Sequence, residues 1–118
     1  MNYYSHNIGD FTEVIPRHKL EAVYVLATPN FEFIKIGISR SFKQRISNIQ
    51  TACPFELTVW QIIRTPIAAE IEMHLHKAMA HCHARGEWFK PSEADLDALA
   101  DFFAKTNAEV KRVLDALL

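Results

Sequence analysis

Residues Ala22 to Arg45 read AVYVLATPNFEFIKIGISRSFKQR, and this stretch decides the fold. Ala22–Ala27 is a short apolar run rich in β-formers, and Phe31–Gly37 is a second one with two charges inserted. Between them, Thr28-Pro29-Asn30 is turn chemistry, because proline presets φ and asparagine tolerates the left-handed region. A hairpin closing symmetrically around Pro29 and Asn30 sets Tyr24 opposite Lys35. Opposed side chains have Cβ atoms roughly 4.5 to 5.5 Å apart. An ammonium at that range favours the phenolate of a tyrosine whose ordinary pKa is about 10, so Tyr24 becomes a candidate base. The inference depends on register, since a slip of one residue puts the two groups on opposite faces.

The segment that follows predicts a helix. Ser41 and Gln44 have capping-box spacing, which starts the helix at Phe42. Phe42, Ile46 and Ile49 form one apolar face, and Arg45 lies between them on the inward side. A guanidinium keeps its charge, so there it needs a carboxylate, carbonyls or a bound anion. Lys35 or Arg45 taken alone can also run its stem along apolar surface and end in water. Three such groups in one short stretch favour a site.

Downstream, Thr51–Pro54 is a connector and Phe55–Arg64 reads as a third strand, central or covered on both faces. Thr65-Pro66 predicts a helix start and a helix to about His83, with Ile67, Ile71, Leu75, Ala78, Met79 and Cys82 as its apolar stripe. Glu72 lies at the edge of that stripe with His76 one turn further on, so the two reach the same space; Glu70 falls on the other flank. Gly86 predicts a left-handed helix stop, and Trp88 and Phe89 core positions. Glu87 either holds an arginine or substrate strand or ties the turn to a backbone amide. Ser92 caps a last helix through Leu96, Leu99 and Phe103, with a break expected near Thr106-Asn107. That segment is apolar enough to seal the sheet's far face or to join two subunits.

At 118 residues and 49% hydrophobic, the chain suits one domain with one core. No apolar run approaches the roughly 20 residues of a membrane helix. The opening MNYYSHNIGDF lacks the order of a signal peptide, which predicts a cytoplasmic protein. Residues 1–20 form an N-terminal arm whose Tyr3, Tyr4, Ile8 and Phe11 suit packing on the domain or on a second copy, making a homodimer through the arm or the last helix a candidate assembly. Cys53 and Cys82 read as reduced thiols. Net charge is −1, yet Lys35 to Arg45 holds four basic residues and no acid, and Glu93 to Asp101 four acids and no base. His74, His76, His81, Cys82 and His83 raise zinc, but on one helix they split between flanks and no four converge. A hard ion such as Mg²⁺ suits a single glutamate better.

Ala22-Val23-Tyr24, Lys35-Ile36-Gly37 and Arg45, followed by Leu75-His76 and Gly86-Glu87-Trp88-Phe89, resemble the GIY-YIG endonuclease superfamily. The likeness spans roughly residues 21–90 and is nearest to a compact branch with lysine in the second tripeptide. It implies a small α/β domain over residues 21–118, with a three-stranded, mainly antiparallel central sheet flanked by helices and a C-terminal helical extension. It further implies metal-dependent hydrolysis of phosphodiester bonds in DNA. In that reading Tyr24 with Lys35 takes a proton from water, Glu72 holds Mg²⁺ or Mn²⁺, Arg45 steadies the phosphoryl charge, and His76 orients or protonates. Ala22 replaces the first glycine, and Ile49 stands where many relatives carry His or Tyr. The competing expectation is a nucleic-acid-binding or protein-interaction module with weak or lost cleavage.

Overall fold

The computed structural model describes residues 20–117. Five strands and three helices follow in the order β1 (Glu21–Ala27), β2 (Ile34–Ser39), α1 (Phe42–Thr51), β3 (Thr58–Thr65), α2 (Ala68–Ala78), β4 (His83–Arg85), β5 (Trp88–Phe89) and α3 (Glu93–Leu117). They build one antiparallel sheet of order β3-β1-β2-β5-β4. The expected three strands therefore become five. β4 and β5 have three and two residues, too few for an alternating pattern to show in sequence.

β1 is an interior strand, held between β3 and β2. Its Val23, Tyr24, Val25 and Leu26 are fully buried because both faces of the sheet are covered. Ala22, Tyr24 and Leu26 pack with Phe42, Leu57 and Ile62 under α1, whose Ile46 and Ile49 complete the apolar face read from sequence. Val23, Val25, Ile36 and Ile63 pack with Ile71, Leu75, Leu99 and Phe103 of α2 and α3 on the opposite face. β3, expected central or doubly covered, is an edge strand covered on both sides.

The hairpin register differs from the symmetric expectation. Tyr24 pairs with Gly37, and Lys35 with Leu26. The turn is longer than two residues: Thr28 N–H donates to the Phe33 carbonyl at 3.0 Å, and Phe33 N–H donates to Thr28 Oγ1 at 2.9 Å. Asn30 and Phe31 carry the reversal at φ 60° and 56°. Because the shift moves the pairing by a whole pleat, Lys35 stays on the Tyr24 face but diagonal to it.

Helix ends also moved. Thr65 closes β3, and α2 begins at Ala68 and ends at Ala78, short of His83, because a 3₁₀ turn at Ala80–Cys82 leads into β4. Gly86 does adopt the left-handed conformation, at φ 57°, but in the β4–β5 turn. Ser92 and Asp95 exchange capping hydrogen bonds, Asp95 N–H to Ser92 Oγ at 3.2 Å and Ser92 N–H to Asp95 Oδ2 at 2.9 Å. From there α3 runs unbroken through Thr106, whose hydroxyl donates to the Phe102 carbonyl and so stays within the helix. Through Leu99, Phe103 and Val110 it seals the sheet's far face. Of the N-terminal arm, residues 1–19 lie outside the described residues, and Leu20 is buried. Among them, no helix is long and apolar enough to cross a membrane.

Candidate functional site

β5 pairs with β2 only at Ile34 and Lys35. One step further, Ile36 N–H still donates to the Glu87 carbonyl, at 3.1 Å. The Ile36 carbonyl is met by a side chain from below the sheet, His76 Nε2 at 2.9 Å. A carbonyl only accepts, so Nε2 carries the proton and Nδ1 keeps its lone pair when the ring is neutral. His76 thereby brings α2, packed on one face, to the point where groups from the other face also arrive.

From the α1 side comes Tyr24, lying directly over Gly37. A Cβ on residue 37 would stand 2.5 Å from the phenol oxygen and 3.3 Å from Glu87 Oε1, so only glycine leaves room for the ring. Phe42 packs against the phenol ring at 5.7 Å. From the β4–β5 turn comes Glu87, whose Oε1 is 3.0 Å from Lys35 Nζ. The Lys35 ammonium also lies 5.5 Å from the centre of the Trp88 ring. From α2 comes Glu72, whose carboxylate has a ligand atom within 4.8 Å of those of His76 and Glu87.

Two buried oxygens here, the Tyr24 hydroxyl and Glu72 Oε2, make no hydrogen bond of ordinary geometry, although the Arg45 guanidinium and the Glu87 carboxyl lie next to them. Burial raises the Tyr24 pKa. Arg45 pulls it back, while Glu87 and Glu72 push it further up. This corrects the expectation of a Lys35-stabilised phenolate: Lys35 is diagonal to the ring and its charge is taken by Glu87. Glu72 is also raised, first by desolvation and then by the neighbouring Glu87 carboxylate, with His76 opposing. Two carboxylates and an imidazole form a donor set suited to a divalent cation, and the added Glu87 makes it richer than the single glutamate expected.

Arg45 directs its guanidinium to the buried Tyr24 hydroxyl, although the residue as a whole stays open to solvent. It is exposed on α1, at the rim of a hollow of about 460 Å³ that it lines with Lys35 and Trp88. Glu70 is exposed and outside the donor set. His74 stacks on Phe102, and His83 Nε2 donates to the Gly86 carbonyl at 2.8 Å, so neither joins. Tyr24, Lys35, Glu72 and His76 are thus brought to one edge of β2, with Arg45 at its rim. Glu87 and Gly37 are the members that sequence left undecided or unassigned. The left-handed Gly86 just before Glu87 was the available signal for a tight turn presenting that carboxylate.

The T5orf172 domain model matches residues 21–105, most of the chain and every element of the site. The chain belongs to the T5orf172 domain family. No curated protein and no solved structure matches it. The T5orf172 family is nucleic-acid related. This match overturns the GIY-YIG assignment, and the packing explains why the short motifs misled. Tyr24 over Gly37 needs only a buried strand pair with a glycine seat. Leu75 and Phe89 are core residues, and His76 closes the Ile36 carbonyl. Each local pattern has a structural cause in this fold.

Proposed function

We propose that this T5orf172 domain is a divalent-metal-dependent endonuclease that hydrolyses phosphodiester bonds in DNA. The observation that carries the reading is the pair of buried oxygens on Tyr24 and Glu72 without hydrogen bonds of ordinary geometry, reaching one sheet edge from opposite faces beside His76, Glu87 and Lys35. Buried polar atoms ordinarily find partners of good geometry, and two that lack one at the same sheet edge favour a bound ligand there.

The residues divide the work. Arg45 supplies positive charge to the phosphate backbone at the rim of the hollow, Lys35 holds the Glu87 carboxylate in place, and the Trp88 ring offers a surface for a base. Glu72 and Glu87, beside His76, would hold a Mg²⁺ or Mn²⁺ ion, which would polarise the scissile phosphate and offset the two carboxylates. With the carboxylates offset and the Arg45 guanidinium beside it, the Tyr24 phenolate would serve as proton acceptor for the attacking water, its oxygen fixed over Gly37. His76 orients α2 through the Ile36 carbonyl and acts as a positioning residue.

A second reading, a nucleic-acid-binding module with weak cleavage, is favoured by the Lys35–Glu87 pair and by the raised Tyr24 pKa. Supercoiled plasmid incubated with Mg²⁺ or Mn²⁺ separates the two. Nicking by the native protein, lost in Tyr24→Phe and in Glu72→Gln, is the expected result. Retained binding with no nicking by any of the three selects the module.

A further inference from the structure

A second group of metal-competent side chains sits where α2 ends and α3 begins. The ligand atoms of His81, Cys82 and Asp95 all lie within 4.8 Å of one another. His81 Nε2 is 2.7 Å from Asp95 Oδ1. The histidine and cysteine were visible together in sequence, but Asp95 joins them only because α3 folds back onto the 3₁₀ turn.

The backbone that holds them is already fixed. Cys82 N–H donates to the Met79 carbonyl at 3.0 Å, and Lys90 N–H donates to the Cys82 carbonyl at 2.8 Å. Ser92 N–H engages Asp95 Oδ2 at 2.9 Å, which leaves Oδ1 directed to His81. Two chain segments, the 3₁₀ turn and the start of α3, therefore present a thiol, an imidazole and a carboxylate oxygen without further folding.

We infer that His81, Cys82 and Asp95 form a binding site for Zn²⁺, with water as the fourth ligand. Sulfur, nitrogen and oxygen donors are zinc's ordinary set, and a thiol disfavours Mg²⁺. Zinc bonds of about 2.0 to 2.2 Å to nitrogen and oxygen in a tetrahedron require the His81–Asp95 gap to widen by roughly half an ångström. The His81 side chain is 59% exposed and free to turn. The Cys82 thiol now donates to the Met79 carbonyl at 3.3 Å, and on binding its proton passes to water. The ion would clamp the start of the β4–β5 hairpin, and with it Glu87, to α3.

Co²⁺ added to the metal-free full chain tests this, because only a thiolate ligand produces sulfur-to-cobalt charge-transfer absorption. The Glu72 cluster has no sulfur, so the two sites are distinguishable. The expected result is a band saturating at one equivalent, displaced by Zn²⁺, retained in Cys53→Ser and Glu72→Gln and lost in Cys82→Ser. His81→Ala should weaken affinity by about tenfold or more. No band in the native protein, or a band surviving Cys82→Ser, overturns the inference. Should Cys82→Ser fail to fold, unchanged affinity in His81→Ala does so instead.

Discussion

The two ends of β2 are a few residues apart and chemically opposite. Ile34 to Ile36 runs between β1 and the β5 segment, and Ile34 and Ile36 are completely buried. At Gly37 the β5 ladder has ended, and side chains from α1's face, from α2 and from the β4–β5 turn meet there instead. The difference teaches that the site is made by stopping a sheet early. A continued β5 would have satisfied Ile36 through backbone and buried the space that Tyr24, Glu72 and Glu87 now share.

The sharpest way to break this contrast is to restore a side chain at the seat. Gly37→Ala puts a methyl 2.5 Å from the Tyr24 oxygen, so the ring must move. We expect a stability loss of about 1 to 3 kcal/mol in denaturant unfolding. Nicking should fall at least roughly a hundredfold, the lower range for a misplaced acid–base group.

Glu72→Gln should separate the two ends by sign. Nicking falls by about a hundredfold or more, while stability at neutral pH rises. Folding raises the Glu72 pKa, so the native state holds a proton that the unfolded chain has released, and stability falls as pH climbs from the ordinary carboxylate range through the raised value. Glutamine removes that fall. In thermal melts without added metal, the variant's advantage should be absent at low pH and grow toward neutrality.

The paired part of β2 was legible beforehand and the open part only partly so. The apolar run of Ala22–Ala27, the apolar face of Phe42, Ile46 and Ile49, and the Ser92 cap are local patterns, and all three appear in the structure. Register was not, because Thr28 Oγ1 and two left-handed residues lengthen the turn in a way that Pro29-Asn30 alone does not announce. Glu72 and His76 could be placed on one helical flank, but their meeting with Glu87 depends on a two-residue strand below the reach of periodicity. The superfamily assignment failed for a related reason, since short strand-and-glycine motifs report packing more than ancestry.

Smaller effects sharpen the boundary. His76→Ala leaves the Ile36 carbonyl without its side-chain donor and should lower stability by about 1 to 3 kcal/mol, measured by urea unfolding. Its nicking loss should be partial, roughly tenfold, as for a positioning group on the lower edge of acid–base effects. Glu70→Gln, one residue pair away on the exposed flank, should change stability by less than about 0.5 kcal/mol and leave nicking unaltered.

The claim that Tyr24 and Glu72 act at one centre is tested most directly by plasmid-nicking rates for native protein, Tyr24→Phe, Glu72→Gln and the double variant. Joint action at one edge of β2 predicts a double variant about as slow as the slower single one. Losses that multiply, or a native protein that does not nick at all, would contradict it.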